Sequence, residues 1–244
     1  MKTVIETRKR TVTKKVTNEL NGIRELLSKF PKGILSVVSD TFDLFKVITE
    51  YLPRLKEEIL SRDGKLVIRP DSGDPVDIVC GSGNITDFGF KVETLEKLVN
   101  WAKDYLEDEV SSNTDHGQRG NMKNSGLFKF DGKIYKITIE IGWNRYDKQY
   151  YFIEESKVKS CVEYSLTPSE KGVIELLWDV FGGTINDQGY KVLDPHIGAI
   201  YGDSITLERA DKICKRLESK GFYLTKVEEQ FNEDTQQWEP IKYY

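Results

Sequence analysis

Arg69 and Asp71 stand two residues apart at the end of an apolar run, Leu66 to Ile68, in the stretch Lys65-Leu-Val-Ile-Arg-Pro-Asp-Ser-Gly-Asp-Pro75. A second run, Ile197 to Tyr201, ends in Gly202 and Asp203. Each run reads as a buried strand that delivers charged or turn-forming residues at its carboxyl end, where ligands bind in parallel α/β sheets and barrels. Pro70 holds Arg69 extended, and strand alternation puts Arg69 and Asp71 on one side. A guanidinium beside a carboxylate can grip an anion, and the carboxylate can accept sugar hydroxyls or help hold magnesium. Ser72-Gly73 adds backbone amides, and Gly202 lets the backbone approach a ligand. Asp40, after the run Ile34 to Ser39, offers one more oxygen ligand. Each feature also has a plain structural alternative: a strand-end ion pair with a turn for Arg69 and Asp71, a loop start for Asp203, a helix cap for Asp40. Together they suit a phosphorylated sugar and its metal.

The elements that must position these residues can be read from periodicity. Residues 17–29 place Leu20, Ile23, Leu26 and Leu27 on one helical face, and Phe30-Pro-Lys-Gly33 breaks it. Ile34 to Ser39 hardly alternates, which predicts a strand buried on both faces. Asp40 or Thr41 caps a helix with Phe42, Phe45, Ile48 and Leu52 inward, and Pro53 starts a second turn through Leu60. Residues 92–109 predict a charged helix. The polar stretch 111–126 reads as mobile. Runs 127–130, 133–142, 149–154 and 157–164 read as strands, the first two joined by Asp131-Gly132. Thr167-Pro-Ser-Glu170 is a capping box opening a helix with Val173, Leu176, Leu177 and Val180 inward, stopped by Gly182-Gly183. Strands 190–193 and 197–201, a helix over 206–219 capped by Thr206, and a strand over 222–227 follow.

Helix-then-meander differs in texture from the strand–helix alternation around it. The chain therefore divides into a basic leader (1–16), a discontinuous α/β unit (17–82 and 167–227), an inserted α+β module (83–166) and a divergent tail (228–244). In the module, Trp101, Trp143, Tyr146, Tyr150 and Tyr151 interleave with Arg145 and Lys148, which suits an aromatic core better than a base-stacking platform. His116 and His196 have no nucleophile or metal-ligand spacing beside them, and Glu140 and Asp147 form no recognisable catalytic pair.

Composition narrows the class. With 244 residues, a formal net charge of −4 and 31% charged residues, the chain reads as a soluble globular protein and not as a dedicated nucleic-acid binder. No apolar stretch approaches a membrane span, and the first residues lack a signal-peptide core. Three widely spaced cysteines with no Cys-x-x-Cys fit a reduced cytoplasm.

Four segments carry a family resemblance: Phe30–Asp40, Leu66–Pro75, Leu177–Thr184 and Gly189–Asp203. In them the chain resembles the nicotinamide phosphoribosyltransferases of bacterial and phage type, over residues 17–80 and 168–227. The resemblance implies part of a type II phosphoribosyltransferase α/β barrel carrying an inserted α+β module. It implies transfer of phosphoribose from 5-phosphoribosyl diphosphate to nicotinamide, giving nicotinamide mononucleotide and diphosphate in NAD salvage. Carried over by position, Arg69 contacts nicotinamide and diphosphate, and Asp71 holds ribose hydroxyls or the Mg2+ shell. Asp40 lies near the diphosphate and its metal, while Gly202 and Asp203 line the nucleotide pocket. Mg2+ is the implied cofactor, ATP an activator, and a homodimer or a complementing chain the implied assembly. The family's phosphorylated histidine, its amide-selecting aspartate and its glycine-rich phosphate loop have no counterpart here. The chain is expected to be incomplete as an enzyme on its own. The alternative is an inactive nucleotide- or protein-binding relative that uses residues 83–166.

Overall fold

The computed structural model describes residues 19–86, 91–113, 120–147, 150–201, 205–223, 229–232 and 237–240. In chain order the elements are α1 (Glu19–Lys29), β1 (Lys32–Val38), α2 (Leu44–Lys46), a π-helical turn (Val47–Tyr51), α3 (Leu52–Arg54), α4 (Lys56–Leu60), β2 (Asp63–Arg69) and α5 (Pro75–Cys80). Then come β3 (Ile85–Thr86), α6 (Leu95–Asn113), β4 (Gly120–Phe130), β5 (Lys133–Asp147), β6 (Tyr150–Glu163) and α7 (Pro168–Lys171). The last are α8 (Val173–Phe181), β7 (Gly183–Ile185), β8 (Lys191–Leu193), β9 (Ile197–Ala199), α9 (Leu207–Ser219), β10 (Glu229–Asn232) and β11 (Gln237–Pro240). The chain forms two compact units, one of Met1–Cys80 with Val173–Tyr244 and one of Gly81–Gly172.

The first unit is built on a parallel sheet in the order β1-β2-β9. Leu66 and Ile68 on the central strand are fully buried, and Leu35, Val37, Ile197 and Ala199 join them on the same face. Ile23 and Leu27 of α1, the segment Leu44–Ile59, and Val173, Leu176, Leu177 and Phe181 of α8 cover that face. The other face is not covered in the same way: Ile34 is 79% exposed and Val38 47%. The expectation that Ile34 to Ser39 is buried on both faces is therefore corrected. β1 lies at a sheet edge and the helices shield only one side, a distinction that an unbroken apolar run does not encode.

Close approach of β1 and β2 explains a glycine pair. Gly33 and Gly64 are register partners, and a Cβ on Gly64 would lie 2.1 Å from the Gly33 carbonyl oxygen. The helical stretch 44–60 widens into a π turn just before Pro53, which has no N–H to continue the i to i−4 ladder. Its cap is Asp43, whose side chain accepts from the Lys46 amide, and not Asp40 or Thr41. The predicted single helix after Thr167 is two, because Gly172 adopts φ 81° between α7 and α8. The capping box itself forms as expected, with Thr167 and Glu170 bonding reciprocally. A short helix that periodicity missed, α5, is capped by Asp74, whose Oδ1 accepts from the amides of Val76 and Asp77. Six residues are too few for a periodic signal. A satellite cluster of Val79, Cys80, Leu217 and Phe222 joins α5 to α9.

The second unit packs α6 on a sheet in the order β3-β4-β5-β6. Leu98, Ala102, Leu106 and Val110 meet Phe128, Ile137, Ile139 and Ile141. The strands are longer than predicted: β4 begins at Gly120, inside the stretch read as mobile, and α6 runs to Asn113. Polar residues such as Asn124 and Ser125 weaken the strand signal, but cross-strand pairing with β5 overrides it. Asp131 (φ 48°) and Gly132 (φ 75°) make the expected tight turn. Of the predicted strand 222–227, Phe222 makes a single bridge to Lys191, and residues 224–227 lie outside the described residues.

Candidate functional site

The carboxyl ends of β1, β2 and β9 bring together residues far apart in sequence. Asp40 follows β1, and its Oδ2 accepts from the Asp71 amide at 2.8 Å and from the Ser72 hydroxyl at 2.6 Å. Parallel pairing aligns Val38 with Arg69, and the Ser39 amide donates to the Arg69 carbonyl at 3.2 Å, so the two tips advance in step. On the other side of β2, the Ile200 amide donates to the Ile68 carbonyl at 3.0 Å. That bond carries β9 forward to Tyr201, whose hydroxyl donates to the Gly73 carbonyl at 2.8 Å.

Arg69 Nη2 lies 3.8 Å from Asp71 Oδ1, with both side chains about half exposed. This is a loose contact, and exposed pairs of this kind contribute little to stability. Its Nε is buried, and no described residue accepts from it. Arg69 is thus held at its base with its guanidinium only partly engaged, which leaves donors for an anionic ligand.

Two groups carry perturbed ionisation. Burial would raise the Asp40 carboxyl, but the hydrogen bonds from Ser72 and the Asp71 amide outweigh it and hold Asp40 below the usual aspartate range. Burial pushes the Tyr201 hydroxyl up, reinforced by the charges of Asp40, Asp74 and Asp71. Tyr201 therefore stays protonated and able to donate.

Of the predicted site residues, the structure brings Asp40, Arg69 and Asp71 together. Gly202 and Asp203 lie outside the described residues, as does His116. His196 sits at the start of β9, away from the strand tips, with Nδ1 2.8 Å from Asp194 Oδ1. Trp101 is half buried on α6, and the side chains of Trp143, Arg145, Tyr146, Tyr150 and Tyr151, with Lys148, lie outside the described residues. Tyr201 was missed as a contributor, and Ser72 was marked for its backbone amide and not for the hydroxyl that reaches Asp40. Only the position of Tyr201 next to marked residues could have signalled it. Among the described residues no group of three or more His, Cys, Asp or Glu is placed to hold a metal. Asp40 and Asp71 supply hard oxygen donors that suit magnesium only if the ion keeps water or substrate oxygens in its remaining positions. No helix among the described residues is long and apolar enough to cross a membrane.

Comparison with known proteins places this geometry in context. Residues 152–239 match the Nicotinate phosphoribosyltransferase (NAPRTase) family. That match opens inside the stretch read as inserted and runs past residue 227, where the segments of the family resemblance end. The chain is 32% identical over 212 residues to a nicotinamide phosphoribosyltransferase of Acinetobacter baylyi, covering 84% of this chain and 26% of that protein. A nicotinamide phosphoribosyltransferase of Mycoplasma pneumoniae is 28% identical over 204 residues, covering 84% of this chain and 28% of its own length. One from Xanthomonas campestris is 45% identical over 64 residues, which are 25% of this chain and 14% of that protein. The chain spans about a quarter of the length of the first two. Over 84% of its length the chain is similar to nicotinamide phosphoribosyltransferases, which it matches over only part of theirs.

Proposed function

We propose that this chain forms part of a nicotinamide phosphoribosyltransferase active site and holds 5-phosphoribosyl diphosphate across the tips of β1, β2 and β9. The observation that carries this reading is the convergence of Asp40, Arg69, Asp71 and Ser72 at the carboxyl ends of adjacent parallel strands. In the reaction the nicotinamide ring nitrogen attacks the anomeric carbon of the sugar and diphosphate departs. Positive charge builds on the sugar ring and negative charge on the leaving oxygens. The Arg69 guanidinium suits the diphosphate, and the Asp71 carboxylate suits the ribose hydroxyls or the shell of a magnesium ion. Asp40, already charged and oriented, suits the metal-bound side of the same substrate. Gly202 and Asp203 complete the pocket in this reading. Magnesium would supply charge neutralisation on the diphosphate, and ATP would act as an activator.

The open face of the sheet, with Ile34, Val38 and Ile200 exposed, supports a further part of the reading. β1, β2 and β9 would be three strands of an α/β barrel whose other strands come from segments that the relatives carry outside the matched stretch. Those segments would be supplied by a complementing chain or a longer polypeptide, and the assembly would be a homodimer or that complemented chain, in the cytoplasm. The test is formation of nicotinamide mononucleotide from nicotinamide and magnesium 5-phosphoribosyl diphosphate, with this chain alone and with the complementing segments added. Arg69→Ala should lower turnover by about a hundredfold or more, the scale for removing a group that stabilises developing charge. No product under any combination, together with no binding of the sugar diphosphate, would sink the reading.

A second reading has its own observation. The unit Gly81–Gly172 has its own core, with eight buried residues among those described, so it needs nothing from the strand tips to be a stable surface. A relative without catalysis would use it to hold a protein partner. That reading predicts partner capture that survives Arg69→Ala and is lost when residues 83–166 are removed.

A further inference from the structure

We propose that Tyr201 is a positioning residue for the strand-tip site: its hydroxyl holds the Asp71–Gly73 turn in the form that clamps Asp40. The proposal rests on the reading of these tips as a sugar diphosphate site.

The turn needs an external hold. Asp71, Ser72, Gly73 and Asp74 are all exposed and belong to no helix or strand. Its two ends are fixed, by β2 on one side and by the Asp74 cap of α5 on the other. Between them Gly73 adopts φ 86°, a conformation that glycine visits freely and therefore also leaves freely. The turn also carries like charge, because Asp71 and Asp74 both belong to it and, with Asp40, bear on the Tyr201 hydroxyl. The two bonds from the turn to Asp40 draw it one way. The bond from Tyr201 to the Gly73 carbonyl draws it from the opposite side of β2.

Tyr201 is suited to this task. The Ile200 amide fixes its backbone beside β2, and its ring packs against the cluster of Val79, Cys80, Leu217 and Phe222. The donor therefore arrives on a rigid ring already anchored at both ends. With the turn held, Asp40 Oδ2 accepts from both the Asp71 amide and the Ser72 hydroxyl, which fixes the carboxylate at the strand tips. With the turn released, both donors leave Asp40, and Asp71 shifts relative to Arg69.

Tyr201→Phe keeps the ring and removes only the donor. Two readouts separate the proposal from the functional reading beneath it. Hydrogen exchange should speed up at the Asp71, Ser72 and Gly73 amides, by about threefold to tenfold for one lost hydrogen bond, with Leu66 and Ile68 of β2 unchanged. Calorimetry should show affinity for magnesium 5-phosphoribosyl diphosphate weakened by a similar factor, while Ser72→Ala added to Tyr201→Phe costs less than the two single losses combined. Unchanged exchange in the turn overturns the proposal outright. Faster exchange with undiminished affinity overturns the positioning role. Should the wild-type chain bind no sugar diphosphate, the functional reading falls, and the exchange result alone decides whether Tyr201 holds the turn.

Discussion

The sheet β1-β2-β9 and the sheet β3-β4-β5-β6 solve the same problem by different routes. In the second, neighbours in sequence are neighbours in space: β4, β5 and β6 are consecutive and antiparallel, and α6 lies across one face. Its outward residues satisfy one another locally, as with Ser125 and Thr138 at 2.9 Å and Lys159 and Glu140 at 2.6 Å. In the first, β9 reaches β2 only after the intervening unit, and groups 31 to 128 positions apart meet at the strand tips. Arg69 there is not fully paired: its Nε has no acceptor among the described residues, and it touches Asp71 only loosely. Outward side chains of the meander pair across adjacent strands, whereas the parallel sheet assembled across the chain leaves Arg69 only loosely engaged at one end. That difference is what makes the tips a candidate site and the meander a scaffold.

The comparison can be broken hardest at the two cores. Ile68→Ala in the central parallel strand and Ile139→Ala in the meander each remove a fully buried side chain and should each cost about 2–5 kcal/mol in urea unfolding. If Ile68→Ala costs under about 0.5 kcal/mol, the one-sided core of the first sheet is not as described.

Next in size is the cap. Thr167→Ala removes the acceptor for the Glu170 amide and one half of the capping box, for a loss of about 1 kcal/mol read by the same titration. Smaller still is Ile34→Ala on the open face of β1, expected within about 0.5 kcal/mol because that side chain is 79% exposed. A large loss there would mean that the face is covered in solution, and it would make the barrel reading concrete.

Ionisation sharpens the comparison without changing the core. Asp40 has its folded-state carboxyl lowered below the ordinary aspartate value of 3.8, so it contributes stability above that pH and loses it as pH falls through the lowered value. The stability difference between wild type and Asp40→Asn should therefore be constant near neutrality and shrink on acidification below pH 4. A difference that grows on acidification would reverse the assignment. Cys80 reports the satellite cluster: burial pushes its thiol up to about 11. It should be the slowest of the three cysteines to react with iodoacetamide at pH 8, measured by peptide mass spectrometry. Rapid alkylation of Cys80 would show that α5 and α9 do not close over it.

What could be read from residues alone was whatever is decided within one turn or one hairpin. The amphipathic spacing of α1, the capping box at Thr167, the Thr206 cap of α9 and the Asp131-Gly132 turn all follow from local backbone chemistry and all form. The marked residues Asp40, Arg69 and Asp71 were legible because charged groups just after apolar runs stand at strand ends. Tertiary structure alone decided the rest. Whether Ile34 faces a core depends on which elements cover the sheet, and its burial therefore depends on residues more than a hundred positions away. Asp40 could cap a helix or take donors from the next strand's tip, and the parallel register of β1 with β2 chose the second. The bond from Tyr201 to Gly73 has no local signature at all, because it exists only where β9 is laid beside β2.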